Sequence, residues 1–486
     1  MGQDTSHRVT FFGQEKTATT IRLAKMNLAV HGLEGDIREA NTFYEDVHSL
    51  FSKCDFVMSN PPFNVDEVDA ERVKSDRRLP FGLPGVNKAK KVSNGNYLWI
   101  SYFQSYLGPK GRAGFVMSSQ ASSAGHGEAE VRRKIIETGD VDVMVAIRSN
   151  FFYTRAVPCE LWHLDKSKPP ERKDHVLMID ARNIYRKLTR KIYDFSPEQL
   201  SNISAIVWLY RGQQQRFLAL QMDYFLRLCE QCAAIRPALE AFRLALGEVR
   251  EPVRAFSGSL AQINSTPDEK KQGISQAVAE LAETEQAYHQ DRKPLLAALD
   301  GFRKRRRSEV PATNAEQHEA RQAFDPLAEK LRGLIKQVDL LYKLAARSAE
   351  LAHELASDYE EAREFYDRRN VSKNLKRLDE TRKAAVEELK HTVYLHRQIH
   401  WLQDHFPDAT MRDVAGLCKV VTRADIEAAD WSLTPGRYVG VAPAEVDQDF
   451  DFEQTLRDIH VELADLNKEA CALAAKIQRN FEELGL

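Results

Sequence analysis

"CDFVMSNPPFNVDE", Cys54 to Glu67, is an apolar run that stops at an amide, two prolines and a ring. A strand inside a sheet gives its N–H groups to its neighbours, and proline has none to give. The strand therefore has to end at Asn60, with Asn60, Pro61, Pro62 and Phe63 at its carboxyl end. Similar β-type runs recur at "VTFFGQE" (Val9–Glu15), "GRAGFVMSSQ", "VDVMVAIRS", "CELWHLD" and "HVLMID". "TTIRLAKMNLAVHG" and "AEVRRKIIETG" read as helices, each closing on a glycine where a C′ residue belongs. Strands alternating with helices over 1–210 predict an α/β layer with a largely parallel sheet.

After about 210 the texture changes. Residues 211–405 are rich in Ala, Glu, Leu, Lys, Arg and Gln and poor in Gly and Val, the composition of long helices. Polar breaks at "SGSLAQINSTPDEKKQG" and "SEVPATNAEQ" divide them into at least three helical stretches. Residues 406–486 begin irregular and end in one long helix over 452–484. There Phe452, Leu456, Ile459, Leu463, Leu466, Ala470, Leu473, Ile477 and Leu484 follow a 4-3-4-3 spacing that Asn480 completes. Such a seam is that of a coiled coil. It suits an internal hairpin with 211–405 as well as a helix of another subunit. The organisation read from sequence is thus 1–210, 211–405 and 406–486.

Composition narrows the class. The chain has 486 residues and a formal charge of −2, so nucleic-acid contact has to come from local basic clusters or a partner. Six scattered cysteines make no disulfide framework and suit a reduced, cytoplasmic setting. No run of 18 apolar residues is long enough to span a membrane. "MGQDTS" matches the myristoylation pattern, and nothing else points to a membrane.

The residues after the Cys54–Ser59 run have a chemical logic. An exocyclic aromatic amine is a poor nucleophile, because its lone pair is delocalised into the ring. Two acceptors that hold its N–H groups localise that lone pair: the Asn60 side-chain oxygen and the Pro61 carbonyl, which the two prolines turn inward. Phe63 offers a face for a planar base. A base in a duplex must be flipped out to reach such a pocket, and stacking offsets part of the lost pairing. The methyl donor expected beside it is S-adenosylmethionine. Glu15, the acid ending "VTFFGQE", is the candidate for the cofactor's ribose hydroxyls, as in other nucleotide folds. Asn41 in "IREANTF" suits its adenine ring, and suits a surface turn equally.

These motifs resemble the methylation subunit of type I restriction–modification systems, an adenine-N6 DNA methyltransferase family. The resemblance rests on "GQEKTATTIRLAKMNLAVHG", "SNPPF", "NGNYLWISYFQSYLGPKGRAGFVMSSQASS", "SNFFYTRAVPCELWHLDK" and "SLTPGRYVGV" (Ser432–Val441). It implies a Rossmann-like, S-adenosylmethionine-dependent methyltransferase sheet that transfers a methyl group to a flipped adenine. It implies target-base roles for Asn60, Pro61, Pro62 and Phe63, and a ribose role for Glu15. It also implies DNA, a specificity subunit, a restriction subunit and a second methylation subunit as partners, with the 452–484 helix as the subunit-binding element. The family carries a helical domain and an Asp-Pro-x-x-Gly-x-Gly turn before its "GQE" strand. Here eight residues precede Val9 and no G-x-G occurs within 1–60. The sheet is therefore expected to be incomplete at its N-terminus, with weak cofactor binding by this chain alone. An inactive scaffold remnant is the competing expectation. A protein-glutamine or RNA amine methyltransferase is a third, opposed by Phe63 and the long helices.

Other features have two readings. Lys74, Arg77, Arg78, Lys88, Lys90 and Lys91, in "RVKSDRRLPFGLPGVNKAKK", suit phosphate contact or a solvated loop. "GFRKRRRS" (301–308) reads as a solvated helical face before a DNA contact. Cys229 and Cys232 read as helix packing, with no metal assigned. In "FFYTR", Phe151 and Phe152 suit a core, and Tyr153 or Arg155 suits the base or DNA.

Overall fold

A computed structural model of the chain describes residues 9–441, except 153–155, 190 and 264–265, and scattered residues between 456 and 478. The strand that stops before Asn60 lies at one edge of a six-stranded sheet. Its strands are β3 (Cys54–Ser59), β4 (Leu107–Ser118), β5 (Val141–Ile147), β6 (Cys159–Asp165), β7 (His175–Asp180) and β8 (Cys418–Thr422), in the order β8-β7-β5-β6-β4-β3. A second, two-stranded parallel sheet joins β1 (Phe11–Glu15) to β2 (Gly35–Glu39), with helix α1 (Ala18–Val30) between them. Helix α1 closes at Gly32, and α3 (His126–Glu137) closes at Gly139. Both glycines hold positive φ, 67° and 74°, the left-handed geometry of a helix C′ position.

The main sheet is mixed, which corrects the expectation of a largely parallel one. β3 pairs parallel with β4, and β5 with β7, but β6 runs antiparallel to both β4 and β5. The cause is the connection from β5 to β6. Residues 148–158 form no helix among those described, and a strand reached without a crossover lies antiparallel. β8 comes from far along the chain and closes the other edge antiparallel to β7, with Cys418 opposite Ile179.

One face of the sheet packs on α2 (Asn96–Tyr106) and α3 through Tyr97, Ile100, Phe115, Ile135, Trp162 and Leu164. The other face, over β5 and β7, packs on α4 (Pro197–Tyr210). Its core continues without a break into four long helices: α5 (Gln214–Ser259), α6 (Asp268–Ser308), α7 (Asn314–Asp358) and α8 (Arg368–His405). The 46 residues of α5 extend about 70 Å at the α-helical rise. Cys229 and Cys232 are buried in that core. Asp142, fully buried on β5, ties the root of the helices to the sheet through Arg211 at 2.6 Å and Arg172 at 3.2 Å.

On β3 the packing is incomplete. Phe56 and Met58 are 74% and 86% exposed, and α1 buries no residue. No ladder joins β1–β2 to β3. The two are fastened through one loop. Gln14 Nε2 donates to Glu45 O (3.0 Å) and Val47 N to Gln14 Oε1 (3.1 Å) on one side. On the other, Tyr106 Oη donates to Asp46 (3.2 Å) and Arg78 Nη1 to Glu45 O (3.1 Å). Parallel strands are normally covered on both faces, so this is where the α/β layer is incomplete.

The "SLTPGRYV" segment docks on the first face. Leu433 N donates to Ser122 O (2.8 Å), and the Ser122 and Thr434 hydroxyls lie 2.7 Å apart. Arg132 on α3, 2% exposed, donates from Nε to Trp431 O (2.6 Å) and from Nη1 to Ala124 O (2.7 Å) and Tyr97 Oη (3.3 Å). Gly440–Leu486 form a separate unit. Within it Leu456, Ile459, Leu463, Leu473 and Ile477 are helical and exposed. Arg132→Met strands two buried carbonyls, so urea melts should show a loss of about 2–4 kcal/mol; a loss below about 0.5 kcal/mol would refute this role.

Candidate functional site

Asn60 follows the last ladder pair of β3, Ser59 opposite Phe115, and is exposed. No described residue takes up its side-chain amide. Pro61 is buried, Pro62 exposed and Phe63 half-buried. The Phe63 ring meets Phe152 edge to face at 6.4 Å, and Phe151 packs on Phe195 at 4.7 Å. Phe151 and Phe152 are both half-buried and packed against the core, and Phe152 also borders Phe63. Tyr153 and Arg155 lie outside the described residues.

The loop is held beyond Phe63 as well. Asn64 adopts positive φ, 53°. Its N–H donates to Asn96 Oδ1 (2.8 Å), and Asn96 Nδ2 donates back to Asn64 Oδ1 (2.9 Å). Asn94 Nδ2 reaches the same oxygen at 3.2 Å, and Gly95 N donates to Val65 O at 2.7 Å. A Cβ at Gly95 would lie 3.1 Å from that carbonyl, so glycine allows the close approach. The signal for this grip in the sequence is "NGNY": Asn94 and Gly95, suited to turns and caps, directly before a helix that Asn96 opens.

Glu15 ends β1, half-buried, and its Oε1 accepts from Thr17 N at 3.0 Å. Asn41 follows β2 by two residues, and its Oδ1 accepts from Phe43 N at 3.2 Å. The surface-turn reading thus describes its oxygen, and its amide nitrogen stays available. Since Glu15 is opposite Glu39 in a parallel pair, Glu15 and Asn41 share the carboxyl end of β1–β2. Asn60 is at the carboxyl end of β3. No hydrogen bond or ring contact joins the two groups among the described residues. Against the exposed face of β3, β4 and β6 lies a cleft of about 620 Å³ whose lining includes Asn60, Met58, Gly114, Val116, Leu161, His163 and Arg211. Burial, with Arg211 beside it, lowers the His163 pKa below the usual histidine value.

Most of the basic loop turns out to be paired. Lys74 meets Glu71, Arg77 meets Asp46 and Lys91 meets Asp69. Arg78 is 1% exposed, bound to Asp76 and stacked on Tyr102, so it carries neither loop reading. Lys88 and Lys90 are exposed. In 301–308, Arg303, Arg305 and Arg306 face Asp300 or Glu319, while Lys304 and Arg307 are exposed.

Residues 2–222 match the N-6 DNA Methylase family. That match covers less than half of the chain and agrees with the motif resemblance. The chain is 39% identical over 201 residues to the type I restriction enzyme MjaIX methylase subunit of Methanocaldococcus jannaschii, covering 40% of this chain and 35% of that one. It is 32% identical over 205 residues to the HindI methylase subunit of Haemophilus influenzae, covering 42% and 44%. The match thus spans less than half the length of these relatives. A type I methyltransferase subunit from Streptococcus thermophilus aligns with TM-score 0.36 at 23% identity, over 40% of this chain and 41% of that one.

Glu160, 1% exposed at the start of β6, is a further residue that the sequence did not flag. Burial raises its carboxyl to about 8. Asp180 adds to the rise, while Ser122 and Arg182 oppose it. The ordinary value is 4.5, so between 4.5 and about 8 the folded chain keeps a proton that the unfolded chain has lost. Stability therefore falls with rising pH across that window. Glu160→Gln should flatten the fall in Tm between pH 5 and pH 8. A mutant whose Tm falls as steeply as that of the unmodified chain would show that Glu160 is not the group responsible.

Proposed function

We propose that the chain is the methylation subunit of a type I restriction–modification system and methylates the N6 amine of a flipped DNA adenine, acting with a specificity subunit, a restriction subunit and a second copy. The observation that carries this is Asn60: an uncommitted amide at the carboxyl end of an edge strand, followed by two prolines and a half-buried ring. The Asn60 oxygen and the Pro61 carbonyl accept the two N–H groups of the amine. That localises the nitrogen lone pair for attack. Phe63 stacks the base, with Phe152 behind it. S-adenosylmethionine, when bound, would give up the methyl carbon and leave as its neutral thioether, and the proton on the newly methylated nitrogen would pass to solvent.

S-adenosylmethionine, held at Glu15 and Asn41, supplies the methyl group. The free oxygen of Glu15 suits the ribose hydroxyls, and the free amide nitrogen of Asn41 suits an adenine acceptor. Both lie at strand carboxyl ends, where α/β sheets take nucleotides.

Asn60→Ala removes an acceptor used in the transition state. Methyl transfer to unmethylated DNA by the assembled enzyme should fall at least about 10²-fold, by analogy with a lost oxyanion donor, while S-adenosylmethionine affinity holds. Turnover close to that of the unmodified enzyme would remove Asn60 from the chemistry.

The helix proposed over 452–484 is the assembly element, its apolar seam flanked by Glu453, Arg457, Glu462, Lys468, Glu469 and Arg479. Replacing Leu463 and Leu466 together with Lys should leave circular dichroism and the thermal melt of the isolated chain unchanged and abolish co-purification with the specificity subunit. An early melt would instead mean that the seam packs inside the chain.

A further inference from the structure

We propose that Asn96 and Asn64 form a clamp that positions the Asn60–Phe63 loop, making Asn96 a positioning residue for the target amine. This rests on the reading of Asn60 above.

The loop is gripped at two ends. On the N-terminal side, Ser59 is locked in the β3–β4 ladder opposite Phe115. On the C-terminal side, the reciprocal pair between Asn64 and Asn96 bonds both the backbone N–H and the side-chain oxygen of Asn64, at 2.8 and 2.9 Å. Between the grips, two φ angles are fixed by the proline rings. Asn60 and Pro61 each precede a proline, which narrows their backbone choices further. Few torsions stay free to move the Asn60 oxygen or the Pro61 carbonyl.

Asn96 is suited to hold one end. It is 1% exposed and sits in the first turn of α2, its own N–H bonded to Asn94 Oδ1 at 3.0 Å. Helix α2 packs against the sheet through Tyr97 and Ile100. The clamp thus transfers the rigidity of the core to a loop whose amide is exposed. Asn64 meets its other need, a left-handed backbone at φ 53°, which asparagine tolerates better than most residues.

Asn96→Leu keeps the shape and removes both bonds, whereas Asn96→Asp keeps an acceptor for the Asn64 N–H. Asn64→Gly keeps the backbone geometry and the N–H and loses the side-chain half of the clamp. Two readouts are taken: amide hydrogen exchange of the 60–65 segment in the full chain, and methyl transfer by the assembled enzyme.

In Asn96→Leu, exchange should rise at least tenfold and kcat fall at least tenfold, with the KM for S-adenosylmethionine within twofold. Asn96→Asp should recover most of both, and Asn64→Gly should fall between. Unchanged exchange in the Leu variant would overturn the clamp. Faster exchange with unchanged kcat would overturn its positioning role. Should Asn96→Leu fail to fold, Asn64→Gly decides by the same two criteria. Absence of methyl transfer in the unmodified assembly counts against the proposed function, while the exchange arm still decides the clamp.

Discussion

Everything at the site follows from the end of one hydrogen-bond ladder. β3 pairs with β4 through Ser59, and Pro61 and Pro62 then have no N–H with which to continue it. The backbone has to leave the sheet at Asn60. It leaves with its geometry constrained by two rings and returns to order at Asn64, where Asn96 receives its N–H. The Asn60 amide is therefore exposed without being loose. An amide on an ordinary loop would have to be ordered before it could hold any partner. Here the order is built into the fold.

The surrounding structure supports that loop through buried polar groups that each join distant parts of the chain. Arg132 ties α3 to the segment at 431–438. Asp142 ties β5 to the root of the long helices through Arg211. Arg78, drawn in from the basic loop, ties 76–78 to the carbonyl of Glu45 and to Tyr106. Such groups are costly when one partner is lost, since the other is left buried and unpaired. They fasten the β1–β2 pair, the main sheet and the helices into one unit, although β1–β2 shares no ladder with β3.

The half-exposed β3 and the α1 helix with nothing buried mark the part of the molecule in which the α/β layer is thin. Glu15 and Asn41 lie on that side, and Asn60 ends the half-exposed β3 itself, whereas the following residues reach the well-packed α2 through Asn64 and Asn96.

The sequence alone determined the local elements and the point at which β3 has to end. Short apolar runs mark β3, β5, β6 and β7, because burial of a strand depends on its own side chains. Gly32 and Gly139 mark helix ends, because a left-handed backbone is cheapest for glycine. Asn60 to Phe63 were legible because two successive prolines are incompatible with a ladder whatever the partner. Tertiary structure decided the rest. It turned β6 antiparallel, brought in Cys418–Thr422 as the last strand, buried Arg78, and paired Asn64 with Asn96 across 32 residues. Each of these depends on which distant segment the chain meets, and periodicity within a segment carries no information about that meeting.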